Sequence, residues 1–357
     1  MSTQRSLLYA LLAGALLLGA CIPGGNSGGF LSQSTPTPTP FLPSFSMPQT
    51  TDVPAVAVEP QPEQSAAAEA PLPKGMLPAR FEDYPAPLAL SDIALPNPIG
   101  RFVQPEGQVN ILLLGSDQRP NDGGFRTDVV LLLTLNPDGK RVSLASFPRD
   151  LYVYVPGWRM DRINGAFARG GMPMMADTME YNFGVRPDHY VLVNFWGFET
   201  VVDALGGISV NVGQALSDHR DGFGDYFVPA GPVAMDGETA LWYVRSRGTS
   251  SDFERTRREQ EVLVALFDKL ISVDAISHAS ELYDQYEESV TTDLEVGDVL
   301  GLLPLAADLG AGNGEIARYA VGPDQVDPYT TSGGGAVLLP DTEAILEIMR
   351  QALGVPE

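Results

Sequence analysis

The sequence predicts an α/β fold, an α/β/α sandwich around a mixed central β-sheet, and three features of the chain carry that prediction. Val109-Asn110-Ile111-Leu112-Leu113-Leu114 is an apolar run ended by Gly115, as expected of a strand covered on both faces. Two more strand patterns, Val129 to Leu135 and Arg141 to Phe147, flank Asn136-Pro137-Asp138-Gly139. Proline there fixes one φ angle and glycine suits the left-handed position, so the two strands are expected to pair as a hairpin. Beyond them helix and strand patterns alternate to the C-terminus, which layers helices on a sheet.

The elements follow in chain order. Arg5 precedes the apolar run Leu7 to Ala20, fourteen residues long. That falls short of the roughly 20 needed for a spanning helix, so residues 1–21 read as an export signal. Leu18-Gly19-Ala20-Cys21 resembles the bacterial lipobox, in which the cysteine is lipidated and begins the mature chain; a plain secretory signal with an incidental Cys21 is the other reading. Residues 22–98 are rich in Pro, Gly, Ser, Thr and Ala, including Thr35-Pro36-Thr37-Pro38-Thr39-Pro40, and read as a disordered, semi-extended linker. Residues 99–357 read as one folded domain. Within it Phe198, Val201, Val202 and Leu205 recur at helical spacing and stop at Gly206-Gly207, a C-cap signal. Ile208 to Val212 reads as a strand. Asp252 is the expected N-cap of a long helix whose core face is Val262, Leu263, Leu266 and Leu270. Strands near Ile316 to Val321 and Ala336 to Leu339 and a helix from Asp341 to Leu353 close the chain.

Charge and cysteine content narrow the function. The formal charge is -23, from 45 Asp+Glu against 22 Lys+Arg, which disfavours a nucleic acid partner. Only Lys74, Lys140 and Lys269 are lysines. The basic residues are therefore mostly arginines, whose planar fork of donors suits carboxylate and phosphate. Cys21 stands alone, so no disulfide framework and no cysteine-ligated metal is expected.

Charged residues cluster at the ends of the predicted elements. Asp117 and Arg119 follow the first strand, and Arg126 and Asp128 open the next. Two such carboxylates can hold a hard cation that takes its other ligands from water and phosphate, although a lone loop Asp is more often a turn former beside a surface Arg. Arg149 and Asp150 follow the hairpin; Arg245 and Arg247 are expected on one face of an extended stretch; Arg255, Arg258 and Glu259 lie on the long helix. Arg255 and Arg258 are expected as neighbours on its surface, repelling unless an anion lies between. Each cluster alone reads as a solvated ion pair, whereas the four together on an acidic chain point to a phosphate site. His189, His219 and His278 fall in none of them.

Six ordered motifs resemble one family, the LytR-CpsA-Psr proteins of bacterial cell envelopes. They are Leu114-Gly115-Ser116-Asp117-Gln118-Arg119, Arg126-Thr127-Asp128, Ser146-Phe147-Pro148-Arg149-Asp150, Asp203-Ala204-Leu205-Gly206-Gly207-Ile208, Asp236-Gly237-Glu238-Thr239-Ala240-Leu241, and Tyr243-Val244-Arg245-Ser246-Arg247 followed by Asp252-Phe253-Glu254-Arg255. The resemblance implies a hydrophobic tunnel for a polyprenyl chain, opening at an arginine-lined pocket for its pyrophosphate. It implies transfer of a glycan phosphate from that carrier to peptidoglycan or another wall polymer, with Mg²⁺ or Mn²⁺, outside the cytoplasm at the membrane surface. Carried over by motif, Asp117 and Asp128 hold the metal. Arg149, Arg245, Arg247 and Arg255 clamp the pyrophosphate, and Arg119, Arg126 and Arg258 support them. The chain departs from the family where Gln is usual four residues after Arg255: Glu259 stands there, with Gln260 beside it. A lipidated Cys21 also replaces the usual transmembrane helix. Asp128, Asp150 or no residue is the general base. Hydrolysis of the lipid diphosphate, or non-catalytic carriage of the lipid or glycan, is the competing function.

Overall fold

Alternation along one strand dictates the layers. The computed structural model describes residues 75–117, 126–246, 252–270 and 290–356. Its strands are β1 (Met76–Leu77), β2 (Arg101–Phe102), β3 (Val109–Ser116), β4 (Thr127–Asn136), β5 (Arg141–Ser146), β6 (Tyr152–Tyr154), β7 (Met160–Arg162), β8 (His189–Asn194), β9 (Ile208–Val212), β10 (Leu216–Arg220), β11 (Gly224–Val228), β12 (Gly231–Met235), β13 (Val290–Thr292), β14 (Glu315–Ala320), β15 (Val326–Thr330) and β16 (Ala336–Pro340). Six form the central sheet, in the order β13-β8-β3-β4-β5-β14. β3 runs parallel to β8 and β5 parallel to β14, while β4 is antiparallel to both β3 and β5. The sheet is mixed, as the sequence predicts.

Successive β3 side chains point to opposite faces. Leu112 and Leu114 join Val130, Leu132, Ala145 and Leu192 beneath the helices Ala166–Phe183 and Thr342–Ala352. Ile111 joins Leu135, Val142 and Val191 on the other face, against Leu294 and Leu305. Leu113, Leu133 and Val193 on that second face are only partly buried. Leu112 and Leu132 are fully buried, the setting in which Leu→Ala costs about 2–5 kcal/mol.

The β4–β5 hairpin forms where expected, but the left-handed residue is Lys140, with φ 48°, and not Gly139. The Asn136 side chain accepts the Gly139 N–H at 2.7 Å, which closes the turn one residue earlier. The helix Phe195–Ala204 ends as predicted on Gly206 and Gly207, at φ 72° and 87°. Strand β9 also forms, yet it pairs with β12 in a separate two-stranded sheet. Asp341 caps the last helix through the Ala344 N–H.

The long helix is Asp252–Leu270, with Asp252 as its first residue. Val262 and Ala265 are buried, whereas Leu263 and Leu266 are only half-buried. Its other buried residues include Arg255, Thr256, Arg258, Gln260 and Glu261, so this end of the helix turns a polar face inward. Such burial is tolerable only where partners are supplied. Glu261, for one, accepts from Tyr243 Oη at 2.7 Å.

Residues 75–98 carry the linker composition, yet they pack on the domain. Tyr84 is buried, and Ile93 and Leu95 join an aromatic cluster with Tyr152, Tyr154 and Tyr181. Tyr154 Oη donates to the Pro85 carbonyl at 3.1 Å and Tyr181 Oη to the Pro96 carbonyl at 2.6 Å. Proline lacks an N–H but keeps its carbonyl, so tyrosine hydroxyls can fasten this strap where a β-ladder could not.

Candidate active site

Strand direction assembles the site. The carboxyl ends of β3, β5, β8 and β14 and the amino end of β4 share one edge of the sheet. This is the edge where open α/β sheets place ligands. It brings Asp117, Asp128, Arg149 and Asp150 into one region.

A β-bulge aims Asp128. Gly115 pairs with Val129 but Ser116 pairs with Thr127, which leaves Asp128 as the extra residue. Bulges re-aim side chains in this way beside functional sites. Gly115 permits it, because a Cβ there would lie 2.9 Å from both Cβ and Cγ2 of Val129. Asp128 Oδ1 accepts from a terminal guanidinium nitrogen of Arg149 at 2.8 Å. Arg149 Nε lies 3.5 Å from Asp150 Oδ2, and Asp150 Oδ1 lies 2.9 Å from Arg162 Nε. Carboxylates and guanidiniums thus alternate from Asp128 to Arg162, each fixing the next.

Asp117 is held differently. Its Oδ1 accepts the Arg126 N–H at 2.7 Å while its own N–H donates to the Arg126 carbonyl at 3.2 Å. The two ends of the intervening loop therefore meet, as the motif spacing requires. Each aspartate thus already has a partner, Asp117 the Arg126 N–H and Asp128 the Arg149 guanidinium.

The long helix adds Arg255 and Glu259, whose side chains are 8% and 10% exposed. Arg255 Nε lies 3.6 Å from Glu259 Oε1. Burial pushes the Glu259 carboxyl up to about 7, against the pull of Arg255, while Asp128 adds to the rise and Arg258 and Arg149 oppose it. Glu259 is thus within electrostatic reach of the Asp128–Arg149 pair. Gln260 faces the sheet instead, donating to Ser146 Oγ and the Tyr319 carbonyl, each at 2.6 Å. Gln260 therefore anchors the helix to β5 and β14, and Glu259 takes the position facing the site.

Two other expectations are corrected. Arg255 and Arg258 are buried and not neighbours on an exposed surface. Arg258 donates to the Ser246 carbonyl at 2.8 Å and lies 5.6 Å over the Tyr243 ring, and burial lowers its pKa. It ties two helices together. Arg245 ends the helix Gly237–Arg245 and does not sit on an extended strand; its guanidinium lies 4.2 Å over Phe195, the residue after β8. It remains exposed at the same sheet edge. Arg126 is exposed beside Asp117, whereas Arg119, Arg247 and Cys21 lie outside the described residues. His189 faces Asp293 and His219 faces Asp221, away from the cluster, and His278 also lies outside the described residues. Arg162, which supports Asp150, lies outside the charge clusters singled out in the sequence, and the hairpin formed by β6 and β7 returns it to Asp150.

Among the described residues no group of three or more His, Cys, Asp or Glu is arranged to hold a metal ion. Asp117 and Asp128 alone would suit only a hard cation such as Mg²⁺, which takes most of its ligands from outside the protein.

Guanidiniums interleaved with carboxylates thus gather at the carboxyl edge of a mixed sheet in an α/β protein. It belongs to the LytR-CpsA-Psr family: the LytR_cpsA_psr family pattern matches residues 91–320. Among its relatives is the polyisoprenyl-teichoic acid–peptidoglycan teichoic acid transferase TagU of Oceanobacillus iheyensis, 36% identical over 213 residues, covering 57% of this chain and 65% of that protein. The Bacillus subtilis transferase TagT is 34% identical over 218 residues, covering 59% and 68%. The chain thus spans about two thirds of the length of these relatives. The crystal structure of B. subtilis TagV superposes with a TM-score of 0.58 at 25% identity, covering 70% of this chain and 98% of that one. A structure described as TagT bound to LIIa-WTA gives 0.55 at 28% identity, covering 70% and 92%.

Proposed function

We propose that this chain is a cell-wall glycopolymer phosphotransferase, moving a glycan phosphate from a polyprenyl pyrophosphate carrier to peptidoglycan or a related wall polymer. The observation that carries this reading is the meeting of Asp128, Arg149, Arg255 and Glu259 at the sheet edge that also holds Asp117 and Arg245. Phosphoryl transfer needs chiefly positioning and neutralisation of charge on the phosphate oxygens. Arg149 and Arg255 are set for this by carboxylates that fix their planes, and Arg245 remains accessible beside them.

The acceptor hydroxyl attacks the sugar-linked phosphorus, the bond to the bridging oxygen breaks, and polyprenyl phosphate leaves with that oxygen. Protonated Glu259 donates a hydrogen bond to a phosphate oxygen. Asp117 and Asp128 are the residues to hold Mg²⁺, which supplies positive charge to the phosphate oxygens when bound. The polyprenyl chain lies along the second face of the sheet, where Leu113, Leu133 and Val193 are only partly covered. Among the described residues no helix is long and apolar enough to cross a membrane, and the anchor proposed is a lipidated Cys21 on the outer side of the membrane. The test is product analysis with a lipid diphosphate glycan and a wall acceptor. A glycan phosphate joined to the acceptor supports transfer; release of free glycan phosphate alone makes the chain a pyrophosphatase, and no turnover makes it a carrier.

A further inference from the structure

A cavity of about 430 Å³ opens beside this site, walled by the strap at Leu90 to Asp92, the β6–β7 hairpin and the turn before β16. Two of its charged residues are engaged outside it. Arg162 pairs with Asp150, and Asp161 Oδ2 accepts from Arg169 at 2.8 Å. Arg159 differs. Among the described residues it forms no ion pair; its guanidinium lies 5.3 Å over the Trp158 ring and within electrostatic reach of Asp92, and its Nε, like that of Arg162, is buried without a hydrogen-bond partner. Such a donor is costly to bury unless an acceptor arrives.

The rest of the lining suits hydroxyls. Asp92 accepts from Tyr152 Oη and, through Oδ2, from the Ser332 N–H at 3.1 Å, which fixes its carboxylate at the cavity wall. Ser91 Oγ accepts the Met160 N–H at 2.9 Å, so its own hydrogen is available to a ligand.

Position links the cavity to the reaction. The hairpin leaves the site at Asp150 and returns at Asn164, whose N–H donates to the Arg149 carbonyl at 3.3 Å and whose carbonyl accepts from Thr127 Oγ1 at 3.2 Å. The Tyr152–Arg162 rung that walls the cavity stands two residues beyond Asp150, a step of roughly 7 Å.

We propose that this cavity is a second subsite for an acidic saccharide, with Arg159 receiving the carboxylate or phosphate and Ser91 and Asp92 engaging hydroxyls. The proposal rests on the wall-polymer reading above. The anionic sugar comes either from the acceptor or from the donor glycan, and the test separates them. Lipid diphosphate turnover by the wild-type full chain is measured first; its failure removes the functional reading independently of the binding data. Calorimetry then compares a soluble peptidoglycan fragment, the same fragment with its carboxylates amidated, and a water-soluble glycosyl pyrophosphate. Arg159→Gln weakens one charged probe about tenfold or more, as expected for a lost charge-assisted hydrogen bond. Ser332→Trp, on an exposed turn, fills the cavity and weakens the same probe, which keeps the test open if the arginine variant unfolds. Loss for the fragment identifies the acceptor and loss for the pyrophosphate the donor. Unchanged Kd values for both charged probes in both variants overturn the proposal, as does equal binding of amidated and charged fragment where the pyrophosphate is also unaffected.

Discussion

Glu259→Gln tests what a buried carboxyl does beside Arg255, at the position where the family resemblance implies an amide. The Glu259 side chain is 10% exposed and its pKa is pushed up to about 7, chiefly by burial. Below that pH it is neutral and can donate to a phosphate oxygen; above it the carboxylate repels the substrate and competes for Arg255. If only the neutral form is productive, kcat/KM falls roughly tenfold per pH unit above the transition. The Gln variant is always neutral, so that fall disappears and the variant outperforms wild type at pH 8.5. Stability changes in step. A carboxyl raised from 4.5 to about 7 on folding stabilises the native state fully below the unfolded value and loses that contribution as pH rises through the folded one. Glu259→Gln is therefore most stabilising above pH 7, by at most about 3 kcal/mol and by less where nearby arginines compensate. Initial rates of glycan transfer between pH 5.5 and 9, with melting curves over the same range, provide the assay. A wild-type profile without a transition near pH 7, or a Gln variant that keeps it, would refute the assignment.

Four more perturbations separate roles within the cluster. Arg255→Ala lowers turnover by about 10²-fold or more, and Arg255→Lys recovers little, because a point charge cannot reproduce the planar fork; steady-state kinetics would show full activity in the Lys variant if Arg255 were only a surface charge. Asp117→Asn and Asp128→Asn each reduce transfer and weaken its Mg²⁺ dependence, and the double variant is little worse than either single one. A Mg²⁺ titration with multiplicative losses and an unchanged midpoint would separate the two aspartates. Gly115→Ala forces a Cβ against Val129, so it displaces the bulge and reduces both the melting temperature and turnover; a fully active, equally stable variant would mean that the bulge does not aim Asp128. Arg258→Ala unfolds at markedly lower denaturant, since it removes a buried tie to the Ser246 carbonyl; loss of turnover with unchanged stability would return Arg258 to the pyrophosphate site.

The strands, the hairpin and the capped helices were legible in the sequence because each is written in local periodicity and turn chemistry. The arginines at the ends of those elements, with two aspartates among them, were equally legible as a charged cluster. What the sequence could not show is which side of a helix or strand faces which partner. Arg255 and Arg258 are alike as letters, yet one pairs with Glu259 beside the site and the other is buried against Tyr243, because the end of the helix Asp252–Leu270 packs between the sheet and the preceding helix. Gln260 and Glu259 are adjacent, and one step of about 100° around the helix sends the first to Ser146 and leaves the second facing Asp128 and Arg149. The bulge at Asp128 needs Gly115 opposite Val129, a contact between strands that no single strand encodes. Arg162 reaches Asp150 only because a hairpin brings the chain back, and the proline-rich strap is fastened by tyrosines far along the chain whose hydroxyls donate to its carbonyls. Local propensity determined the elements, and long-range packing decided which of their charged residues became the site.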